Sequence, residues 1–101
     1  MLRSLFLGFI RFHILYHATQ RPVYGLWLME ELARHGYSVS PGTLYPILHQ
    51  MERAGYLVGE RRVEGGRVRK YYTATPAGRA LLEEARARIA ELASEVLEKE
   101  I

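Results

Sequence analysis

The sequence predicts a mainly helical α+β domain, and three observations carry that prediction. Leu44, Ile47, Leu48 and Met51, continued by Ala54, follow the i, i+3, i+4, i+7 spacing of one buried helical face. Leu57 to Val63 and Val68 to Thr75 switch to β-branched and aromatic runs around Glu64-Gly65-Gly66-Arg67, and the Gly-Gly pair supplies the positive backbone angles of a tight hairpin. From Leu82 onward, Leu82, Ala85, Ile89, Leu92 and Val96 recur in steps of 3, 4, 3 and 4, a heptad seam.

Composition bounds the rest. The chain has 101 residues, 49% of them hydrophobic and 25% charged, which suits one small globular domain. A domain of this size buries only roughly 60–65% of its unfolded surface, so a partner subunit would help it. The chain has no Cys, Asp or Asn. Disulfides and thiolate zinc sites are therefore excluded, and no G-x-S-x-G elbow or phosphate loop is present, so neither an enzyme nor a cofactor is expected. The Glu30-Glu31 and Glu83-Glu84 pairs read as solvated helix surface. Net charge is +3 but uneven: residues 1–79 hold 11 basic and 5 acidic side chains, residues 80–101 hold 3 and 6. The basic part is the candidate nucleic-acid surface.

Taken in order, residues 2–17 are apolar almost all round, which suggests a helix buried on every side. Arg11 and His13 interrupt the run and no small-residue cleavage site follows, so it is neither a signal peptide nor a membrane span. A cytoplasmic protein with no membrane partner is expected. One side of this helix would meet its own core; the other, including Leu5 and Phe9, would meet a second subunit. His13 and His17 lie four apart on one helical face, a workable pair of imidazole ligands. No third ligand is near in sequence, so no metal site is assigned, and a metal-responsive regulator stands only as an alternative.

Thr19 to Pro22 forms a turn, and Val23 to Ala33 form a second helix with a broad apolar face, in which Trp27 is expected to pack in the core. Gly36 closes that helix, and Tyr37 to Gly42 lead to the third. Pro46 lacks an N–H and suits a first turn, so the third helix is expected to begin near Thr43 and to end at Gly55. Its polar face carries Tyr45, His49, Gln50, Glu52 and Arg53. Gln and His can read base edges, Tyr can donate to phosphate, and a free helix start favours anions.

The hairpin that follows carries Arg61, Arg62, Arg67, Arg69 and Lys70 with only Glu64 among them. A cationic hairpin directly after a presented helix is a wing, suited to phosphates. The expected architecture is thus a winged helix-turn-helix over residues 1–78, including the N-terminal helix. Thr75-Pro76 caps and starts the last helix, and residues 79–101 are expected to form a C-terminal dimerisation helix. Leu82, Ala85, Ile89, Leu92 and Val96 would join Leu5 and Phe9 in a homodimer interface. Two copies would then present their reading helices about one DNA turn apart.

Ser40-Pro41-Gly42-Thr43-Leu44-Tyr45-Pro46, followed by Glu64 to Gly78 (EGGRVRKYYTATPAG), resembles the PadR family of transcriptional regulators over about Pro22 to Gly78. The resemblance implies a winged helix-turn-helix homodimer that represses at inverted-repeat operators in double-stranded DNA. It also implies that Ser40, Thr43, Tyr45 and Pro46 meet DNA and that Lys70 with its Arg neighbours serves the wing. With the residue-level reading, the expected DNA contacts are Ser40, Thr43, Tyr45, Pro46, His49, Gln50, Arg67, Arg69 and Lys70. Where many members carry His-Gly-Tyr in the second helix, this chain has Tyr24-Gly25-Leu26. A small aromatic or apolar effector between subunits is the expected means of release. A winged-helix module that binds protein instead of DNA is the other alternative.

Overall fold

A computed structural model describes residues 2–98 of the chain. Helices α1 (Leu2–Gln20), α2 (Gly25–Arg34) and α3 (Pro41–Arg53) precede strands β1 (Leu57–Glu64) and β2 (Arg67–Ala74), and α4 (Pro76–Glu98) closes the order. Residues 99–101, the end of the expected dimerisation helix, lie outside the described residues. No described helix is long and apolar enough to cross a membrane.

The core is built from one face of each helix. Ile10, Ile14, Leu15 and Ala18 of α1 meet Leu28 and Leu32 of α2, Leu44, Ile47, Leu48 and Met51 of α3, and Leu82 of α4. Leu57 and Tyr72 close it from the hairpin. Each fully buried aliphatic side chain contributes about 1.5–3 kcal/mol, so this shared cluster holds the three N-terminal helices in place.

Local chemistry sets the ends. Gly36 (φ 91°) and Gly55 (φ 87°) adopt the left-handed conformation. After each, the next residue's N–H reaches back over the last turn, Tyr37 to Leu32 and Tyr56 to Met51. Thr75 caps α4, its Oγ1 accepting from the Gly78 N–H at 3.0 Å and donating to the Gly55 carbonyl at 2.5 Å. In the hairpin, Glu64 pairs with Arg67 across Gly65 and Gly66, both at positive φ.

Three expectations need correction. Helix α3 begins at Pro41, not near Thr43, with Ser40 at its N-cap; Pro46 therefore lies inside the helix. Pro41 fills the first helical position, where a missing N–H costs nothing, and that pulls the start forward. Helix α2 begins at Gly25, because Val23 is taken by the sheet: its N–H and C=O both bond Tyr72 backbone, at 2.9 and 2.7 Å. Helix α1 continues to Gln20, beyond the expected end at His17.

A compact domain of about 100 residues has a radius of gyration of about 13 Å, whereas this chain measures 15.0 Å with a longest extent of 58 Å. The excess fits α4, whose second half carries exposed Ile89, Leu92, Val96 and Leu97.

Candidate nucleic-acid interface

Helix α3 presents an outward ridge opposite its buried stripe. Gly42, Pro46, His49 and Arg53 are all exposed and succeed one another by three or four residues, so they line one face. The polar residues at its edges turn toward neighbours. Thr43 is half-buried and its Oγ1 accepts from Ser40 Oγ at 3.4 Å. Gln50 accepts from Arg11 Nη2 of α1 at 3.4 Å, which draws it to the α1 flank. Tyr45 leans the other way, its ring lying over the start of α2; a Cβ built at Gly25 would fall 2.6 Å from Tyr45 Cζ. Gly25 is therefore the gap that lets Tyr45 lie there.

The wing is tied to this helix at one point. Lys70 Nζ donates to Glu52 Oε1 at 3.0 Å, and the Gly59 N–H donates to Glu52 Oε2 at 3.2 Å. The hydrogen bond from Lys70 holds the Glu52 carboxyl below its usual range, and the same contact raises the Lys70 ammonium. A side chain at Gly59 would collide with the Lys70 stem. Lys70 is thus a strut between wing and helix before it is a phosphate contact.

Arg69 is similarly occupied. Its guanidinium lies 4.1 Å from the Tyr24 ring centroid and its Nη1 3.7 Å from Glu64 Oε1. Arg62 pairs with Glu60 at 3.3 Å and covers the Tyr71 ring at 4.6 Å. Arg61 and Arg67 are exposed and make no ion pair among the described residues. Of the three wing residues expected to contact DNA, Arg67 alone has no ion-pair partner among the described residues; Arg61, on the hairpin but not among those three, also has none. Arg53, on the polar face but not among the expected contacts, extends the ridge. Its signal in the sequence is its place four residues after His49.

The seam expected at the subunit interface divides in two. Leu82 and Ala85 are buried within the chain at 7% exposure each, so they belong to its own packing. Leu5, Phe9, Ile89, Leu92 and Val96 stay exposed.

Between α1, α2 and α4 lies a cavity of about 690 Å³. Phe9, Phe12, Tyr16 and Ile89 form its apolar side; His13, His17, Glu31 and His35 form a polar corner. Burial lowers the His13 and His17 imidazoles, and the hydrogen bond with His35 lowers the Glu31 carboxyl. Trp27, expected in the core, is half-buried and packs against the core's edge, 5.3 Å from the His17 ring. His35 was invisible to sequence spacing, since only the packing of α2 on α1 brings it to the other two.

Residues 14–84 match the family described as Transcriptional regulator PadR-like family. The chain is 60% identical over 88 residues to Transcriptional regulator Rv3488 of Mycobacterium tuberculosis, covering 87% of this chain and 82% of that one. Among solved structures it is similar to a PadR family transcriptional regulator from Eggerthella lenta DSM 2243, with a TM-score of 0.80 and 31% identity over 99% of this chain and 91% of that chain. A PadR-like transcriptional regulator from Bacillus cereus strain ATCC 14579 gives 0.78 and 31%, over 96% and 99%.

Proposed function

The chain belongs to the PadR-like family of transcriptional regulators, and from that premise we propose that it works as a cytoplasmic homodimeric repressor at an inverted-repeat operator. As a member it is a DNA-binding regulator and not an enzyme. The observation that carries the finer reading is the pairing of the α3 ridge (Gly42, Pro46, His49, Arg53) with a wing whose Arg61 and Arg67 are free. The ridge enters the major groove, where His49 and Arg53 reach base edges, while Ser40 and the open Gly42 N–H at the helix start meet phosphate. Arg61 and Arg67 bind backbone phosphates beside it.

Exposed apolar residues on both terminal helices support the dimer. Leu5, Phe6 and Phe9 of α1 and Ile89, Leu92, Val96 and Leu97 of α4 leave many large apolar side chains in water, the kind of surface that marks an interaction site. Residues 79–101 then act as the dimerisation helix on a DNA-binding unit of residues 1–78. A second subunit on α1 and α4 would roof the 690 Å³ cavity, whose apolar side suits a small aromatic or apolar effector. Such a ligand releases DNA only by favouring a different spacing of the two reading helices.

The test is selection of bound fragments from random duplex DNA by purified protein. The expected result is an inverted repeat with half-sites about one helical turn apart. Enrichment of single, unpaired half-sites would count against the dimeric reading, and no enrichment against DNA reading altogether.

A further inference from the structure

Helix α1 places His13 and His17 on one face, and His35 reaches them from the C-terminal end of α2. One ring nitrogen from each of the three imidazoles lies within 4.8 Å of the other two. The His13 and His35 rings stack at 4.7 Å, and His13 and His17 lie at 6.4 Å, nearly parallel. A carboxylate stands behind them: Glu31 Oε2 is 3.0 Å from His35 Nε2 and 3.5 Å from His17 Nε2, its side chain only 12% exposed. Apart from that approach of Glu31, His17 Nε2 is buried with no hydrogen-bond partner among the described residues. A buried ring nitrogen without a partner is costly, and a bound ion would satisfy it.

We propose that His13, His17 and His35 form a zinc site, with Glu31 as the positioning carboxylate and the fourth coordination place open to the cavity. Zinc takes neutral imidazole at about 2.0–2.1 Å, which sets neighbouring ligand nitrogens about 3.3 Å apart in a tetrahedron. His35, at 45% side-chain exposure, is the ring with room to turn toward that spacing. A carboxylate bonded to the outer nitrogen of a metal-bound histidine is the usual support for such a ligand. The chain has no Cys, so the donor set favours zinc over thiophilic ions.

The site deepens the proposed function and rests on it for its consequence. His35 immediately precedes Gly36 and the connection to α3. Binding the ion ties that connection to α1, the helix that carries Leu5 and Phe9 of the proposed dimer face. Zinc thereby couples the position of the reading helix to the position of the subunits, and changes operator affinity through that tie.

The experiment uses the full chain without a histidine tag. Cobalt(II) is added as a spectroscopic probe, then displaced by zinc. The expected result is the intense visible absorption of a four-coordinate site, saturating at one ion per chain and erased by zinc. H35A, at a residue whose side chain is 45% exposed, keeps the fold by circular dichroism and abolishes the absorption, as does H13A. E31Q retains the absorption but weakens binding about 10–100-fold. Operator affinity, measured first without metal, changes about tenfold on adding zinc to the wild type and not to H35A. Absence of the absorption, or an unchanged one in folded H35A, overturns the site. A formed site with zinc-independent operator affinity overturns the coupling. A metal-free chain that binds no duplex sinks the DNA reading instead, and the cobalt spectrum still decides the site.

Discussion

Glu52 of α3 and Lys70 of β2 are joined at 3.0 Å across Gly59, so the wing and the reading helix are held as one unit. Both side chains are 31% exposed, and a pair of this kind is worth about 1 kcal/mol or less to stability. K70M is therefore expected to lower the unfolding midpoint slightly while loosening the wing. The contribution also depends on pH. Glu52 titrates lower folded than unfolded, so the stabilisation is present above the ordinary 4.5 and fades as acid takes the pH down through the folded value. Thermal melts across that acidic range should show a wild-type loss that E52Q lacks.

Arg61 and Arg67 separate phosphate binding from wing placement. R61A with R67A should weaken binding to all duplexes alike and flatten the salt dependence by roughly 0.9 per lost phosphate contact. K70M should leave that slope near the wild-type value, because its charge is already partnered. Binding titrations over a range of salt concentrations decide this. A K70M slope as shallow as that of the double arginine variant would show that Lys70 also reaches phosphate.

Gly25 and Tyr45 are coupled by space. In G25A the new methyl displaces the Tyr45 ring, a partly exposed side chain that can swing away at small cost to the fold. Operator affinity should fall by about the same factor as in Y45A, and combining the two should add little, which a double-mutant cycle measures. Fully additive losses would mean that Gly25 acts by some route other than Tyr45.

Ile89 and Leu92 are 46% and 53% exposed, so a charge there costs the isolated chain little. In a dimer joined through α4, I89E or L92E buries that charge against apolar surface, which costs several kcal/mol. Sedimentation should show monomers with wild-type helix content. Dimers that persist would move the interface to another face.

Much of the fold was legible because its signals are local. The glycines of the two helix ends, the Thr75-Pro76 cap and the Gly65-Gly66 turn each act over a few residues of chain. The α3 boundary differs from the sequence expectation because Pro46 suits a first turn while Pro41 already fills that place. Val23 fits a helical pattern in the sequence, because its bond to Tyr72 spans a long separation that no periodicity records. The ridge of α3 was legible as a polar face, but not that Gln50 turns to Arg11 or that Lys70 is held by Glu52.

The order of elements, the buried stripes and the cationic hairpin were determined by the sequence alone, since spacing and turn chemistry depend on neighbours along the chain. Which of the charged and imidazole groups are free, paired or gathered was decided only by the tertiary structure. The reason is that a side chain's availability is set by whatever packs against it: Glu52 meets Lys70 from 18 residues away, and His35 meets His13 only because α2 lies on α1.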